Sequence, residues 1–347
     1  MVKARGYAVL SPKADLLPFE FDRRELRPGD VDISITHAGI CHSDIHQGRE
    51  EWGKALFPMV PGHEIVGRVL GVGSGVSKFT VGQLVGVGVF IDSCRKCANC
   101  LAGLQQYCSE GMTGTYNTLE RDGQTVAYGG YSNRIVVDEN YVVSVPETLK
   151  IEGVAPLMCA GITLYSPLRH WEAGPGKKVG ILGLGGLGHM GVKFAHAMGA
   201  HVTVFSHSDK KKGDALAMGA DDFVVNPDEE YFKKNGNSFD LILNTVSAMV
   251  DINAYLGTLK IDGTLVVIGL PDAPYKVSAG AMLNGRKSLT GSMIGGMPEL
   301  QEMLDFAGKH NIVSDVEVIS ADYVDKAYER TVASDVKYRF VIDAETF

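Results

Sequence analysis

The chain has 347 residues, of which 45% are hydrophobic and 21% charged, and this length predicts about two domains. Its 42 glycines follow no Gly-X-Y period, which excludes a collagen-like fibre, and six cysteines are too few for a disulfide scaffold of this size. The net charge of −8, without a long basic block, argues against nucleic acid or an acidic membrane surface as a partner.

The first residues contain no apolar stretch of the kind found in signal peptides, and no apolar run reaches about 18 residues. We therefore expect a cytoplasmic protein that does not enter a membrane. Cytosolic cysteines stay reduced, so clustered cysteines in this chain are expected to bind metal before they form disulfides.

The first part of the chain, to about residue 150, is predicted to be a β-barrel-like domain with long loops. Short runs of β-forming residues, broken by Gly, Pro and Asp, occur at residues 31–35, 65–70 and 131–137. Several strands at such short spacing are typical of barrels.

After about residue 155 the pattern changes to strands that alternate with helices. Gly199 and Gly219 are predicted to end the first two of these helices. Strands are predicted at 177–182, 201–205, 223–226, 241–246 and 264–269, and helices at 187–198, 209–218 and near 251–260. This alternation indicates an α/β unit with a parallel sheet covered on both faces. The tail from about Pro298 is predicted to contain two helices and a final strand at 338–342 that returns to the first domain.

The strongest signal of chemistry is a cluster of four cysteines. Cys94, Cys97, Cys100 and Cys108 are separated by two, two and seven residues. Four thiolates in a short loop fit a closed tetrahedral zinc site that holds the loop by ligation. An iron–sulfur cluster is the alternative, but ferredoxin spacing places the fourth cysteine about three residues on and follows it with proline. A local disulfide is disfavoured by the cytoplasmic interpretation.

A second, dispersed set of residues predicts an open zinc site. Cys41, His63 and Cys159 supply two thiolates and an imidazole, and Glu64 is placed to occupy or vacate the fourth position. Asp44 is expected to accept the other ring N–H of His63 and so fix its tautomer. The same stretch carries Ser43 and His46, which are candidates for passing a proton to bulk water.

The third signal is a glycine-rich turn between a predicted strand and a predicted helix, formed by Gly183, Leu184, Gly185, Gly186, Leu187 and Gly188. In this position the pattern indicates a dinucleotide site. The first glycine allows the turn, the second admits the pyrophosphate, and the third lets the helix pack on the strand, with the anion at the helix N-terminus.

The end of the next strand predicts which dinucleotide is bound. NAD sites carry a carboxylate there for the ribose 2′-hydroxyl, whereas this chain has Ser206, His207 and Ser208, followed by Lys211. The two hydroxyls and the ammonium form a candidate cradle for a 2′-phosphate, which favours NADP over NAD. Asp209 lies beyond the strand and is interpreted as the N-cap of the following helix.

Together these residues resemble the zinc-dependent medium-chain dehydrogenase/reductase superfamily, and within it the cinnamyl alcohol dehydrogenase branch that includes broad-specificity NADPH-dependent aldehyde reductases. The resemblance covers nearly the whole chain. Its markers are GICHSDIHQ (39–47), VPGHEIVGRV (60–69), the cysteine cluster (94–108), PLMCAGITLYSPL (156–168), GILGLGGLGHMGVKFAHAMG (180–199), NTV (244–246), GSMIGG (291–296) and YRFVID (338–343).

The resemblance implies an α/β protein with a GroES-like β-barrel catalytic domain at residues 1–155 and 296–347 and a doubly wound Rossmann domain at residues 156–295. It implies two zinc ions per chain, one catalytic on the open site and one structural on the cysteine cluster, together with NADP(H). It also implies a homodimer that pairs the edges of the Rossmann sheets near residues 288–294. The further cofactor contacts that it implies are Thr163, Thr245, Gly269, Ser292 and Ile294.

The expected function is the reversible NADPH-dependent reduction of aliphatic and aromatic aldehydes to primary alcohols, with zinc as the Lewis acid and Ser43 and His46 in the proton path. Trp52, Phe57, Met112 and Tyr116 are candidate walls of the substrate pocket. One alternative is an NAD-dependent secondary-alcohol or polyol dehydrogenase. The other is a non-catalytic NADPH-binding protein, which is disfavoured because every expected metal ligand is present.

Overall fold

The chain builds its first unit from both ends of the sequence and its second from the middle. In the computed structural model, which describes residues 2–347, the first unit runs through Ile162 and resumes at Gly295–Phe347, and the second is Thr163–Ile294. The sequence placed these boundaries after residues 155 and 295.

The strands, in chain order, are β1 (Val2–Val9), β2 (Leu16–Arg23), β3 (Asp30–Gly39), β4 (Ile65–Val72), β5 (Leu84–Val87), β6 (Phe90–Asp92), β7 (Thr113–Gly114), β8 (Thr118–Leu119), β9 (Val126–Ala127), β10 (Arg134–Asp138), β11 (Val143–Ser144), β12 (Lys178–Leu182), β13 (His201–Ser206), β14 (Asp222–Val225), β15 (Phe239–Asn244), β16 (Leu259–Val267), β17 (Ser288–Gly291), β18 (Val316–Ile319) and β19 (Arg339–Asp343).

The α-helices are α1 (His42–Gly48), α2 (Ala98–Leu101), α3 (Ala160–His170), α4 (Gly188–Ala197), α5 (Lys212–Ala217), α6 (Glu229–Lys234), α7 (Ile252–Thr258), α8 (Ala279–Leu283), α9 (Met297–His310) and α10 (Val324–Val332). Short 3₁₀ turns occur at Gln105–Tyr107, Glu139–Tyr141, Ile151–Gly153, Ala155–Met158, Ala321–Tyr323 and Ala344–Thr346.

The first unit is built on a sheet with strand order β11-β5-β4-β3-β19-β18, and β10 also pairs with β3. Its pairs are antiparallel except β18–β19. The final strand β19 pairs with β3, so the prediction that the tail returns to the first domain is confirmed. Val31 and Ile33 of β3 are fully buried, as expected for a strand in the middle of a sheet.

The core of the first unit runs directly beside the candidate catalytic residues. Ile40 precedes Cys41, Phe340 follows Arg339, and Tyr131 lies in the same buried cluster as both apolar residues. A rigid apolar core at these positions fixes the backbone from which the polar side chains project.

The second unit is a parallel sheet with strand order β14-β13-β12-β15-β16-β17. Val179 and Ile181 of β12 are fully buried, consistent with a sheet covered on both faces. The strand order reverses direction between β12 and β15, and in open α/β sheets ligands bind at the carboxyl ends of the strands beside this point. The parallel-sheet prediction is confirmed.

Three local predictions are corrected by the structure. Asp209 is not a helix N-cap, because a turn delays α5 until Lys212 and makes Lys211 the N-cap; Asp209 contributes only its carbonyl, which accepts the N–H of Lys212 at 2.9 Å. Strand β16 begins at Leu259, earlier than residue 264. The tail contains the additional strand β18, which pairs in parallel with β19 between the two predicted helices.

In the described part of the chain no single helix is long and apolar enough to cross a membrane; only the bent pair Ile151–Met158 and Ala160–His170 together has that length and composition.

Candidate metal centres and cofactor site

The predicted cysteine cluster is assembled in one lobe of the first unit. The sulfur atoms of Cys94, Cys97, Cys100 and Cys108 all lie within 4.8 Å of one another. The loop folds so that backbone N–H groups point at the sulfurs: Cys94 donates to Cys108 at 3.3 Å, Cys97 to Cys94 at 3.3 Å and Cys100 to Cys97 at 3.4 Å. Such N–H donors stabilise thiolates, which are the form that binds zinc.

The thiols of the cluster differ in how readily they ionise. Hydrogen bonding, led by the backbone of Ser109, lowers the pKa of Cys97 to about 5, whereas burial raises that of Cys100 to about 11. Ser93 is buried, and its hydroxyl lies 3.1 Å from the sulfur of Cys100 and 2.7 Å from the hydroxyl of Tyr141. Four sulfurs in a closed cluster, without a carboxylate or an open position, fit a structural zinc ion.

The second predicted set also comes together, and all of its members are buried. One ligand atom each from Cys41, His63, Glu64 and Cys159 lies within 4.8 Å of the others. Cys41 is the N-cap of α1, His63 and Glu64 immediately precede β4, and Cys159 follows the 3₁₀ turn Ala155–Met158. Hydrogen bonding with Cys159 lowers the pKa of Cys41 well below its usual range. Two thiols, an imidazole and a carboxylate fit zinc.

Asp44 holds this group of ligands together. It accepts hydrogen bonds from His63 Nδ1 at 3.0 Å, from the Cys41 backbone N–H at 2.9 Å, from the Gly62 N–H at 3.3 Å and from the Tyr131 hydroxyl at 3.1 Å. Donation from Nδ1 leaves Nε2 of His63 as the nitrogen with a free lone pair for a metal. The contact between Asp44 and His63 is the one expected from the sequence, whereas the contact with Tyr131 was not predicted.

Glu64 has one oxygen paired and one without a partner. Its Oε1 accepts a hydrogen bond from Arg339, and both side chains are buried. Its Oε2 is buried without a hydrogen-bond partner. Burial raises the pKa of Glu64 to about 8. A buried polar atom without a partner is costly. The free Oε2 of Glu64, beside two sulfurs and an imidazole, therefore fits a fourth ligand for a metal ion bound there.

Arg339 is the main site residue that sequence reasoning missed. It lies within the family marker at residues 338–343, which was the only signal available, and 275 residues separate it from Glu64. No pattern of spacing predicts that contact.

The two candidates for proton transfer lie on α1. The hydroxyl oxygen of Ser43 is 3.5 Å from the sulfur of Cys41. His46 contacts Glu51 through Nδ1, and its ring stacks on Trp52 with centroids 4.7 Å apart. The ring of Tyr116 stacks on His63 at 5.8 Å and is buried, while half of Trp52 is exposed. Glu51 was another residue that the sequence analysis did not single out.

The glycine-rich turn has the geometry that a dinucleotide needs. Gly183 has φ of +86°, and a Cβ on Gly188 would lie 2.0 Å from the carbonyl oxygen of Gly183, so both positions require glycine. A Cβ on Gly185 would meet nothing within 4 Å, which leaves open space over the turn. Gly186 and Leu187 complete the turn, and Leu187 is the N-cap of α4 without a side-chain cap. The open turn at the N-terminus of α4, which no side chain caps, fits a pyrophosphate.

The loop after β13 carries the predicted 2′-phosphate residues. Ser206 ends β13, and its hydroxyl accepts the N–H of Ser208 at 3.3 Å. The carbonyl of His207 accepts from Asn226 at 3.0 Å. Lys211 donates from Nζ to the carbonyl of Leu184 at 3.1 Å, which places its ammonium at the glycine-rich turn. No carboxylate occupies residues 206–208.

The remaining candidate contacts also lie in the second unit. Thr245 follows β15 and donates to the carbonyl of Leu182 at 2.7 Å, and a Cβ on Gly269 would lie 2.4 Å from the carbonyl oxygen of Val246. Thr163 and Ile294 are buried, and the backbone N–H of Ser292 donates to Val267 at 3.3 Å. Ile294 has φ of +42°, an uncommon conformation for a β-branched residue.

Comparison with known proteins identifies the families that the two parts of the chain match. Residues 27–147 match the family model described as alcohol dehydrogenase GroES-like domain, and residues 186–309 match the one described as zinc-binding dehydrogenase. NADP-dependent alcohol dehydrogenase C 1 of Mycolicibacterium smegmatis is 57% identical over 344 residues, which cover 99% of this chain and 98% of that protein.

Two further relatives cover the chain equally well. Aldehyde reductase YahK of Escherichia coli is 50% identical over 347 residues, covering 99% of each chain. The solved structure of the cinnamyl alcohol dehydrogenase from Helicobacter pylori, complexed with NADP(H), matches with a TM-score of 0.92 and 43% identity and covers 99% of each chain. The predicted fold, a GroES-like unit with a Rossmann-type unit, is therefore confirmed.

Proposed function

The chain belongs to the zinc-binding dehydrogenases with an alcohol dehydrogenase GroES-like domain, and on that premise we propose that it is a zinc-dependent, NADPH-dependent alcohol dehydrogenase that reduces aldehydes to primary alcohols. The observation that carries the proposal is the buried group of Cys41, His63, Glu64 and Cys159, with one carboxylate oxygen left without a partner. The names of the relatives support both the reaction and the cofactor.

The bound groups supply the bond-making chemistry: zinc polarises the carbonyl as a Lewis acid, and NADPH provides the hydride. The protein holds them with separate sets of residues. Cys41, His63 and Cys159 would hold the catalytic ion in the first unit, and the glycine-rich turn would hold the dinucleotide in the second. The cysteine cluster would hold a structural ion that replaces an apolar core in its lobe.

Asp44 and Arg339 each orient one of the candidate metal ligands, His63 and Glu64. Asp44 accepts the Nδ1 proton of His63 and so orients the ring, with Nε2 left to face the metal. Arg339 holds one oxygen of Glu64 by a charge-assisted hydrogen bond and leaves the other available as an exchangeable ligand. Glu64 would hold the fourth ligand position of the ion until the substrate binds.

The reduction consumes one proton, which must reach the oxygen of the product. We assign this path to Ser43 and His46. The contact of Nδ1 with Glu51 and the stacking on Trp52 orient the ring of His46, and its partly exposed side chain gives access to water. Ser43 lies between Cys41 and this histidine in the sequence, and its hydroxyl is 3.5 Å from the sulfur of Cys41, so it would pass the proton inward.

NADP is proposed over NAD because of the loop after β13. Ser206 and Ser208 offer hydroxyls, His207 lies between them, and Lys211 offers a cation at the same turn. A carboxylate at this place would repel a 2′-phosphate, and residues 206–208 contain none.

Three finer points belong to the same proposal. The substrates include both aliphatic and aromatic aldehydes, and the enzyme works in the cytoplasm. It is a homodimer that pairs β17, which lies at the edge of the parallel sheet and follows the exposed Leu283. An unpaired edge with exposed apolar residues is a natural site for pairing with a second copy. Light scattering on the purified protein tests the last point.

Metal removal tests the proposed reaction. Purified protein should contain about two zinc ions per chain, and a chelator that removes the catalytic ion should abolish NADPH-dependent aldehyde reduction until zinc is restored. Activity that survives the loss of the catalytic ion would contradict the proposal. Activity on secondary alcohols with NAD would favour a polyol or secondary-alcohol dehydrogenase, and NADPH binding without turnover would favour a non-catalytic protein.

A further inference from the structure

The cysteine lobe caps a helix far away in the sequence. We define the lobe as residues 94–108, which run from the first to the last cysteine. The Oε1 atom of Gln105 accepts the backbone N–H of Met297 at 3.0 Å, across 192 residues. Met297 is the first residue of α9, and the N-cap Gly296 has no side chain to cap it. Gln105 therefore satisfies one of the N–H groups that a helix N-terminus leaves without a partner.

The backbones also approach very closely at this point. A Cβ on Gly296 would lie 1.7 Å from the carbonyl oxygen of Gly103 and 2.7 Å from Oε1 of Gln105. A Cβ on Gly103 would lie 3.2 Å from Cγ of Pro298. A side chain at Gly296 would not fit against the lobe, and one at Gly103 would make a tighter contact with Pro298 than is usual.

The position of Gln105 depends on the metal ligands around it. It lies in the 3₁₀ turn Gln105–Tyr107, between Cys100 and Cys108. The lobe has little apolar interior of its own, since Leu101 is 75% exposed and Leu104 41% exposed. A loop of this kind is held in place by ligation, so the cap on α9 depends on the cluster.

Residues 294–297, which lead into the capped first turn of α9, are the point at which the chain returns to the first unit. Ile294 is the last residue of the second unit and Gly295 resumes the first. Residues 294–297 are all buried, and Ile294 is held at φ of +42°. The candidate cofactor residues Ser292 and Ile294 directly precede the capped helix, so loosening of its first turn is transmitted to them through the backbone.

We propose that Gln105 is a positioning residue through which zinc bound at the four cysteines orders residues 294–297 and, by chain continuity, the cofactor contacts Ser292 and Ile294. The inference rests on the proposed function for its effect on NADPH. The link between the metal and the segment stands on the geometry alone. Because coupling between two sites is reciprocal, disturbance of the segment must also weaken zinc binding at the lobe.

Hydrogen exchange on the zinc-loaded protein tests the forward direction. Gln105→Ala removes the cap and should raise the exchange of the amides of Met297, Glu299 and Leu300 about fivefold, the effect of a typical lost N-cap on a local opening. Gln105→Glu retains an acceptor, with a charge that suits a helix N-terminus, and should restore slow exchange. Leu101→Ala, on the exposed surface of the lobe, is the matched control and should change nothing.

Zinc release tests the reverse direction. Gly296→Ala places a methyl group against Gly103 and should speed the release of zinc from the cysteine cluster to a colorimetric chelator by at least about fivefold, while release from the catalytic site stays unchanged. Gly257→Ala is the control, because a Cβ there meets nothing within 4 Å.

The KM for NADPH should rise in Gln105→Ala with little change in kcat.

The results separate the two claims. Three results would each overturn the inference: unchanged exchange at Met297, Glu299 and Leu300 in Gln105→Ala, failure of Gln105→Glu to restore slow exchange, or unchanged zinc release in Gly296→Ala. If exchange and zinc release change as expected but the wild-type protein does not turn over NADPH, the proposed function fails and the link between the lobe and α9 remains.

Discussion

Arg339 donates a hydrogen bond to Glu64, although the two residues lie in β19 and immediately before β4, at opposite ends of the chain. The pair is buried beside Cys41, His63 and Cys159. It joins the C-terminal strand to the candidate catalytic metal centre and holds one of two carboxylate oxygens. The first unit thus needs its C-terminal segment for the site as well as for the sheet.

Replacing the cation of this pair should be strongly destabilising. Arg339→Gln leaves a buried carboxylate without its partner, and we expect the free energy of unfolding of the first unit to fall by about 3–5 kcal/mol. The double variant Arg339→Gln, Glu64→Gln should recover much of the loss, since it removes both charges. Denaturant unfolding at equal zinc content measures both changes.

Arg286→Gln serves as the control, because Arg286 pairs with Asp262 at the exposed surface. Its unfolding should match that of the unaltered chain. Equal destabilisation by the two arginine substitutions would contradict the role given to Arg339.

Asp44→Asn should weaken the catalytic metal site and leave the cysteine cluster intact. The amide can still accept from His63, but it no longer stabilises the imidazole with a negative charge, and loss of such a partner typically costs about 10- to 100-fold in metal affinity. Titration against a competing chelator, with metal analysis, should find one weakened and one unchanged ion. Loss of both ions together would indicate general unfolding.

His46→Gln should slow proton transfer and spare zinc. Loss of a positioned proton-transfer group typically lowers the rate about 100-fold or more when that step is limiting, and kcat for aldehyde reduction is the quantity to measure. Zinc content should stay at the level of the unaltered protein. His42→Gln, in the same helix, is the control. A loss of zinc from His46→Gln as large as its loss of activity would refute the assigned role.

Lys211→Ala should change cofactor preference. An ammonium that pairs with a phosphate contributes about 1.5–3 kcal/mol, so kcat/KM with NADPH should fall about 10- to 100-fold while the value with NADH stays nearly constant. Lys210→Ala controls for the general loss of positive charge. Equal decreases with both cofactors would mean that Lys211 supports the glycine-rich turn, through Leu184, without contacting the 2′-phosphate.

Local patterns predicted the parts of the site whose residues are close in sequence or carried by a motif. The cysteine cluster spans 15 residues, and the glycine-rich turn follows directly from a strand into a helix, so spacing alone indicated both. Cys41, His63 and Cys159 are far apart, and the motifs around them were needed to group them.

Contacts made by the tertiary fold could not be predicted in this way. Arg339 with Glu64, Tyr131 with Asp44 and Gln105 with Met297 are separated by 275, 87 and 192 residues. Asp209 shows the opposite error, in which a good N-cap residue is bypassed because a turn delays the helix. Local propensity is a weak guide where the loop between two elements sets the start of the second.

The most direct test of the central claim compares kcat/KM for one aldehyde with NADPH and with NADH, on protein that contains about two zinc ions per chain. An NADPH-dependent aldehyde reductase should favour NADPH by about 100-fold or more, because the 2′-phosphate is recognised by charge-assisted hydrogen bonds. Equal use of the two cofactors, or a preference for NADH, would contradict the account.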